Sequence, residues 1–356
     1  MHNQIIAWAT PVFLLLIFAE WWYSRRHALQ LYRLNDSLAS MGCGVFTLLV
    51  ELFAKAALLV LFAWVSQRAG LFEFSSSSWV TWALFFVLFD FVYYWCHRWA
   101  HEINFMWGGH VPHHQSEEFN LTTALRQGAL QDIFMWPIFL SLALLGCPAD
   151  VFIVTMTISK LYQFWIHTRV IDKVPYIEGI LNTPSAHRVH HGINDIYLDR
   201  NHGGTFMIWD RLFGTWQEET ETPIYGVRKR YQSWNPVWAH FDGLWLLWQD
   251  ARKSTDPRDL LRIWFKPTGW RPQNVAQESP YPEPDLQHYR RFDSRVDSTR
   301  QWLAVIAFGV ALYANDVLLK SVVTLSVWQI LLAVAAVVAG LLACARMLGE
   351  PTLWRD

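Results

Sequence analysis

Charged residues are scarce in this chain. Aspartate, glutamate, lysine and arginine make up 17% of its 356 residues, and the formal net charge is -1. Soluble domains carry charge on about a quarter of their residues. The low charge and the 53% of hydrophobic residues therefore indicate a membrane protein. A net charge this close to zero offers little attraction for a polyanion, so we expect no nucleic acid partner.

Cysteine is also scarce, and it forms no motif. The four cysteines are scattered in or beside apolar segments, without a CxxC pair. This pattern argues against a disulfide framework and against a thiolate metal site. The sequence has no Rossmann glycine motif, no CxxCH haem site and no fused ferredoxin motif. Any redox chemistry would therefore need an external electron donor.

Long apolar runs, in contrast, are abundant. Five of them are long enough to cross a bilayer, and they cover residues 5–23, 38–65, 79–96, 301–318 and 322–348. Two shorter runs within 128–167, joined by a turn with glycine and proline, predict a helical hairpin that enters the membrane. The predicted fold is an all-α integral membrane protein, a multi-span helical bundle with a cytoplasmic, histidine-rich di-metal domain.

The second apolar run contains two ionisable residues. Glu51 and Lys55 lie four residues apart, so they share one helix face and are predicted to form a structural ion pair. Ionisable residues at membrane depth are expensive and often functional, which leaves a second interpretation open.

The apolar runs divide the chain into four parts. These are N-terminal transmembrane helices (1–96), a histidine-bearing catalytic region (97–225), a cytoplasmic segment (226–300) and C-terminal transmembrane helices (301–356). If the spans alternate in direction, nearly all lysine and arginine falls on one side. The positive-inside rule predicts that this side, with all the histidine motifs, is cytoplasmic. The membrane would be a bacterial inner membrane, or the endoplasmic reticulum in a eukaryote.

Three short motifs contain eight of the fourteen histidines. One HxxxH motif and two HxxHH motifs place histidine at His97, His101, His110, His113, His114, His187, His190 and His191. On a helix, residues three or four apart lie on one face. A structural zinc ion takes four ligands, so eight imidazoles predict two metal ions. Imidazole suits iron, zinc and copper, so the ligand type alone does not name the metal.

The histidines also have interpretations other than a metal centre. A single histidine is usually a packed or solvated side chain, and one HxxxH motif recurs by chance on helices. Three such motifs, each beside an apolar run, favour a metal centre. A metal carrier or transporter is disfavoured, because its histidines would lie at membrane depth in several spans rather than beside them.

The order HxxxH, HxxHH, HxxHH among paired apolar helices resembles the fatty acid hydroxylase and sterol desaturase superfamily of membrane di-iron enzymes. Within it, residues 97–127, 164–168, 181–192 and 209–215 look like those of alkylglycerol monooxygenases. The resemblance implies two non-haem iron ions, O2, a membrane lipid substrate and tetrahydrobiopterin as reductant. The implied reaction hydroxylates the carbon beside an ether oxygen and yields a fatty aldehyde. Hydroxylation or desaturation of a sterol or fatty acyl chain is the alternative on the same scaffold.

The resemblance also implies roles for residues outside the three motifs. His167 ends an apolar run and is expected to be a ninth metal ligand, unless it is a polar residue at the end of a helix. Glu102 follows the first motif and is expected to act as a carboxylate ligand or catalytic base; otherwise it is a solvated charge. His202 stands where the family is expected to carry tyrosine, so it is given no ligand role.

Three more polar residues have two interpretations each. Asp90 is expected to accept a hydrogen bond from a ligand imidazole or to satisfy another buried polar group. Asn120 and Arg126 follow the second motif, where they would contact a lipid headgroup or a pterin, or else stabilise a helix end.

Overall fold

The structure, a computed structural model, describes residues 2–350, with side chains from residue 11 onwards. The described chain is helical and contains no strand beyond isolated bridges, which confirms the predicted all-α class. Its α-helices are α1 (His2–Arg26), α2 (Leu34–Ala69), α3 (Trp79–Glu102), α4 (Asn104–His114), α5 (Gln131–Leu144), α6 (Ala149–Trp165), α7 (Pro184–His190), α8 (Ile208–Phe213), α9 (Ala239–Lys253), α10 (Asp259–Phe265), α11 (Gln273–Glu278), α12 (Ser298–Ser321) and α13 (Val327–Met347).

Four helices in the described chain, α2, α3, α12 and α13, are long and apolar enough to cross a membrane. They coincide with four of the five predicted spans. The last span begins later than predicted, because Ser326 and Gln329 form a capping box that starts α13. The predicted span at 5–23 falls in α1, but the side chains of its first residues lie outside the described part.

The predicted hairpin is formed by α5 and α6, which pack against α2 and α3. Gly146 lies in the turn between them with φ of 98°. A Cβ there would lie 1.9 Å from the carbonyl oxygen of Phe72, so only glycine fits. Apolar side chains of all four helices, Phe62, Phe89 and Phe139 among them, form one continuous core.

The C-terminal helices α12 and α13 pack on each other and on α2. Their core also includes Trp234 and Val237 from the preceding polar segment. Helix α9 of that segment packs against α4, the helix that carries the second histidine motif. Residues 226–300 therefore cover the histidine-bearing region.

Candidate metal centre

Nine buried histidines form two groups, and within each group the ligand atoms lie within 4.8 Å of one another. We call the first group site 1; it consists of His97, His101, His110, His114 and His190. We call the second group site 2; it consists of His113, His167, His187 and His191. The nine are the eight motif histidines and His167, so the structure brings together every histidine that the sequence nominated.

Each HxxHH motif contributes to both sites. In α4, His110 and His114 belong to site 1 and His113 to site 2. In the third motif the assignment is reversed, with His187 and His191 in site 2 and His190 in site 1. A helix turns about 100° per residue, so residues i and i+4 are about 40° apart while i+3 points to the other side of i. The i, i+4 pair therefore shares one site, and the i+3 residue reaches the neighbouring one.

The inner ring nitrogens crowd each other at both sites. The Nε2 of His110 lies 3.2 Å from that of His97 and 3.0 Å from that of His114. At site 2, the Nε2 of His187 lies 2.9 Å from that of His167 and 3.2 Å from that of His191. The buried Nε2 atoms of His101 and His190 have no hydrogen-bond partner. Converging nitrogen lone pairs without protein donors fit a cation at each site.

The outer nitrogens of five ligands meet hydrogen-bond acceptors instead. The Nδ1 of His110 lies 2.6 Å from Oε1 of Gln131. The other four acceptors are backbone carbonyls: Arg126 for His113, Gln163 for His167, Arg200 for His190 and His202 for His97. An acceptor at Nδ1 fixes the proton there and leaves the Nε2 lone pair facing the site. The residue types do not reveal the four carbonyl acceptors, since every residue carries a carbonyl.

The imidazoles are also held in the neutral form that binds metals. Burial lowers the pKa of His113 to about 4, and it lowers the pKa values of His114 and His191 well below the usual range. Aromatic rings cover the ligands: the ring centre of Trp107 lies 5.1 Å from that of His101, and Phe119 lies 5.2 Å from His191. The site is thus suited to metal binding at neutral pH.

Residues 82–215 match the family model for fatty acid hydroxylase. This stretch includes all nine histidines of sites 1 and 2. Over this stretch the chain is similar to the fatty acid hydroxylase family. The resemblance drawn from the histidine motifs is confirmed.

Curated relatives extend this likeness beyond the hydroxylase domain. The chain is 38% identical over 285 residues to alkylglycerol monooxygenase of Xenopus tropicalis, covering 77% of this chain and 64% of the relative. It is 41% identical over 240 residues to the Homo sapiens enzyme of that name, covering 67% and 54%. Ornithine lipid hydroxylase OlsE of Rhizobium tropici is 29% identical over 130 residues, covering 36% and 39%. The chain thus spans a half to two thirds of the alkylglycerol monooxygenases it matches. No solved structure matches it.

His202 lies beside site 1 of the hydroxylase domain. Its ring is fully buried, with its centre 5.2 Å from that of His101 and 5.8 Å from that of His190. Its ligand atoms nevertheless fall outside both groups. Burial lowers the pKa of His202 to about 3, so this tenth imidazole is neutral as well.

Glu102 lies at the end of α3 and outside both ligand groups. Its Oε1 accepts a hydrogen bond from Nε of Arg98 at 2.8 Å, and its side chain is 38% exposed. Arg98 also donates to the hydroxyl of Tyr94, which lies 3.0 Å from the hydroxyl of Thr215. Glu102 is therefore linked to the buried wall of the hydroxylase domain through its partner arginine.

Asp90 bonds to a loop and not to a ligand imidazole. Its carboxylate accepts hydrogen bonds from the backbone N–H of Thr205 at 2.6 Å and of Phe206 at 3.0 Å. The indole N–H of Trp209 donates to the same carboxylate at 3.0 Å. Of the two roles expected for Asp90, the structure favours the second, in which its carboxylate satisfies other buried polar groups. This contact fixes the loop next to His202.

Asn120 and Arg126 are buried and occupied by internal bonds. Asn120 donates to the carbonyl of Leu31 at 2.8 Å and accepts from Thr122, so it stabilises a turn. Arg126 donates to the carbonyl of Pro112 at 2.7 Å, which holds the end of α4. Arg126 thus acts on α4 twice. Its side chain holds the end of the helix, and its backbone carbonyl orients His113 in the same helix.

We expect about two metal ions per chain in protein purified without oxygen, one for each group. His190→Ala removes a ligand from site 1 alone, so occupancy should fall toward about one ion per chain, measured by elemental analysis. The exposed His288 provides a matched control, and His288→Ala should retain both ions. A single ion in the wild type, unaffected by His190→Ala, would contradict the two-site arrangement.

Gln131→Leu should weaken metal binding at site 1, because it removes the acceptor that orients His110. Loss of such an outer partner typically costs about 10- to 100-fold in affinity, measurable by titrating metal-free protein with Co2+. Gln131→Glu keeps an acceptor and should restore most of the affinity. Gln287→Leu, at an exposed position, should have no effect. Equal affinities for all these proteins would refute the role of Gln131.

Proposed function

We propose that this protein is a membrane di-iron monooxygenase that hydroxylates the carbon beside the ether oxygen of an alkylglycerol lipid. The resulting hemiacetal would break down to a fatty aldehyde and a free glycerol. The observation that carries the proposal is that site 2 borders an apolar cavity in the helical bundle. The similarity to alkylglycerol monooxygenases over most of the chain supports the choice of lipid.

The cavity has a volume of about 280 Å³ and lies among α1, α2, α3, α5, α6 and α12. Its wall includes Phe13, Val45, Phe139 and Phe308, together with the ligand His167. Apolar side chains at membrane depth suit an alkyl chain, whose burial against them is favourable. A lipid tail in this cavity would bring one of its carbons close to site 2.

The chain's own residues would bind the metals, orient the lipid and limit access of water. Sites 1 and 2 would hold two iron ions, which when bound would supply the activation of O2 and the oxidation of the C–H bond. The carbonyl and amide acceptors keep the ligand imidazoles in one orientation. Trp107 and Phe119 pack against histidines of the two sites, and neither residue lines the cavity.

The electrons would come from an external donor, which we propose to be tetrahydrobiopterin. The chain has no glycine-rich dinucleotide motif, no haem motif and no cysteine cluster of its own. Hydroxylation of an acyl chain is the second candidate, favoured by the similarity to ornithine lipid hydroxylase over 36% of the chain.

The proposed function predicts that purified protein with tetrahydrobiopterin, O2 and 1-O-hexadecylglycerol releases hexadecanal. His101→Ala should lose activity together with the metal of site 1, because His101 belongs to that site. Glu102→Ala should retain the metals, since Glu102 lies outside both groups, yet lose activity by about 100-fold or more if the carboxylate acts as a base. Aldehyde release and elemental analysis measure the two effects separately.

Two outcomes of this assay would change the proposal. If aldehyde forms only with a ferredoxin or another protein donor, the lipid assignment stands and the pterin assignment falls. If ether lipids are untouched while acyl chains gain oxygen, the second candidate function replaces the first. Parallel reactions with tetrahydrobiopterin and with a protein donor identify the first case, and mass spectrometry of the lipids under 18O2 identifies the second.

The metal centre is proposed to face the cytoplasm, as the distribution of lysine and arginine predicts. Arg33 pairs with Glu118 at 2.6 Å and Arg230 with the adjacent Glu117 at 2.7 Å, so both arginines lie at one end of the bundle. Reporter fusions after these two arginines should both report the cytoplasm. A fusion after Gly70, which follows α2, should report the opposite side of the membrane. The reverse result would refute this orientation without affecting the chemistry.

A further inference from the structure

Four ionisable side chains form a network inside the helical bundle. The Nζ of Lys160 in α6 lies 3.1 Å from Glu51 in α2 and 2.7 Å from Asp132 in α5. Lys55 lies 3.2 Å from Glu51 in the same helix, as the sequence predicted. We call these four residues the charged quartet. The quartet connects three helices of the bundle.

All four members of the quartet line the cavity described above. The remaining wall is mostly apolar, with side chains such as Leu48, Phe164 and Leu312. Charged groups are expensive in such surroundings, and at membrane depth they mark binding sites more often than they add stability. The side chain of Lys160 is 45% accessible. Its contacts with the carboxylates therefore leave it open to a ligand in the cavity.

The quartet is also close to the metal centre. Asp132 directly follows Gln131, the acceptor that orients a site 1 ligand. Lys160 lies three residues before Gln163, whose carbonyl accepts from His167 of site 2. Three residues span about 4.5 Å along a helix. The same two helices therefore carry both the outer partners of the metal ligands and two members of the quartet.

The quartet has unused capacity both to donate and to accept hydrogen bonds. An ammonium group has three N–H donors. Within the described chain, Lys160 uses two of them on carboxylates and Lys55 uses one. The two lysines and the two carboxylates leave no net charge. Such a surface suits uncharged hydroxyl groups, each of which donates and accepts, better than an anion that would require surplus positive charge.

We propose that the charged quartet binds the free hydroxyl groups of the lipid's glycerol headgroup. The alkyl chain would then occupy the apolar remainder of the cavity, with its ether-linked carbon beside His167. The opposite placement would press a hydrocarbon chain against four charged groups and remove their hydration without compensation. This inference rests on the proposed function, because it takes the substrate to be an ether lipid with free hydroxyls.

Binding without turnover tests the subsite. Full-length, metal-loaded protein is kept free of O2 and of reductant, and the affinities of 1-O-hexadecylglycerol and of its 2,3-di-O-methyl ether are compared. Hydrogen bonds to charged groups should favour the free diol by about tenfold to a hundredfold. Asp132→Asn combined with Lys160→Gln keeps the net charge and should make the two affinities nearly equal, with little change for the dimethyl ether.

The control is Lys320→Gln, which breaks an exposed ion pair with Asp316 at 2.7 Å and should keep the preference for the diol. If the double variant does not fold, Asp132→Asn alone should still reduce the preference. Equal binding of both lipids by the wild type would overturn the subsite. An equal loss of affinity for both lipids in the variant would also overturn it, because that result indicates a purely structural network.

The aldehyde assay keeps this inference distinct from the proposed function. Aldehyde release by a wild type that does not discriminate between the lipids would uphold the function and overturn the subsite. A diol preference that the double variant abolishes, without aldehyde release by the wild type, would support the subsite while the proposed reaction fails.

Discussion

The structure depends on holding nine neutral imidazoles in contact inside a helical bundle. Each ring needs one nitrogen free for a metal, so its other nitrogen must be satisfied elsewhere. Five rings find that acceptor in Gln131 or in a backbone carbonyl. Carbonyls in loops serve this purpose only if the loops are fixed. The loop that contains the carbonyl of His202 is held by Asp90 and by Asp210, which accepts from its backbone N–H groups.

The hairpin α5–α6 connects the candidate metal centre to the cavity in which we propose that the lipid binds. Its two helices provide Gln131 and the carbonyl of Gln163 to the histidines, and both helices also line the cavity. A change in the packing of the hairpin would therefore alter the arrangement of the histidines and the shape of the cavity together. Gly128, just before α5, makes this packing tight, since a Cβ there would lie 1.9 Å from the carbonyl of Gly109 in α4.

Much of the candidate site was predictable because the spacing of residues along the chain indicates which of them come together on a helix. The HxxxH and HxxHH motifs predicted that the eight histidines would converge, and the apolar runs predicted four spans that the structure contains. The prediction that all three histidines of an HxxHH motif share one face was wrong, because the i+3 histidine belongs to the other site. His167 stands outside any motif, and it was predicted by family resemblance. Asn120 and Arg126 follow the second motif, yet their side chains form hydrogen bonds to backbone carbonyls within the protein. Spacing along the chain does not reveal these bonds.

The sequence by itself determined the helical membrane architecture, the eight motif histidines and the Glu51–Lys55 pair, because each rests on residue type and short-range spacing. Only the tertiary structure decided how the histidines divide between two sites. It also decided which carbonyls orient them, since all residues carry the same carbonyl. The joining of Lys160 and Asp132 to Glu51 was likewise decided by packing, as Lys160 lies 109 residues along the chain from Glu51. Contacts over such separations depend on how whole helices pack, and no local sequence pattern predicts this packing.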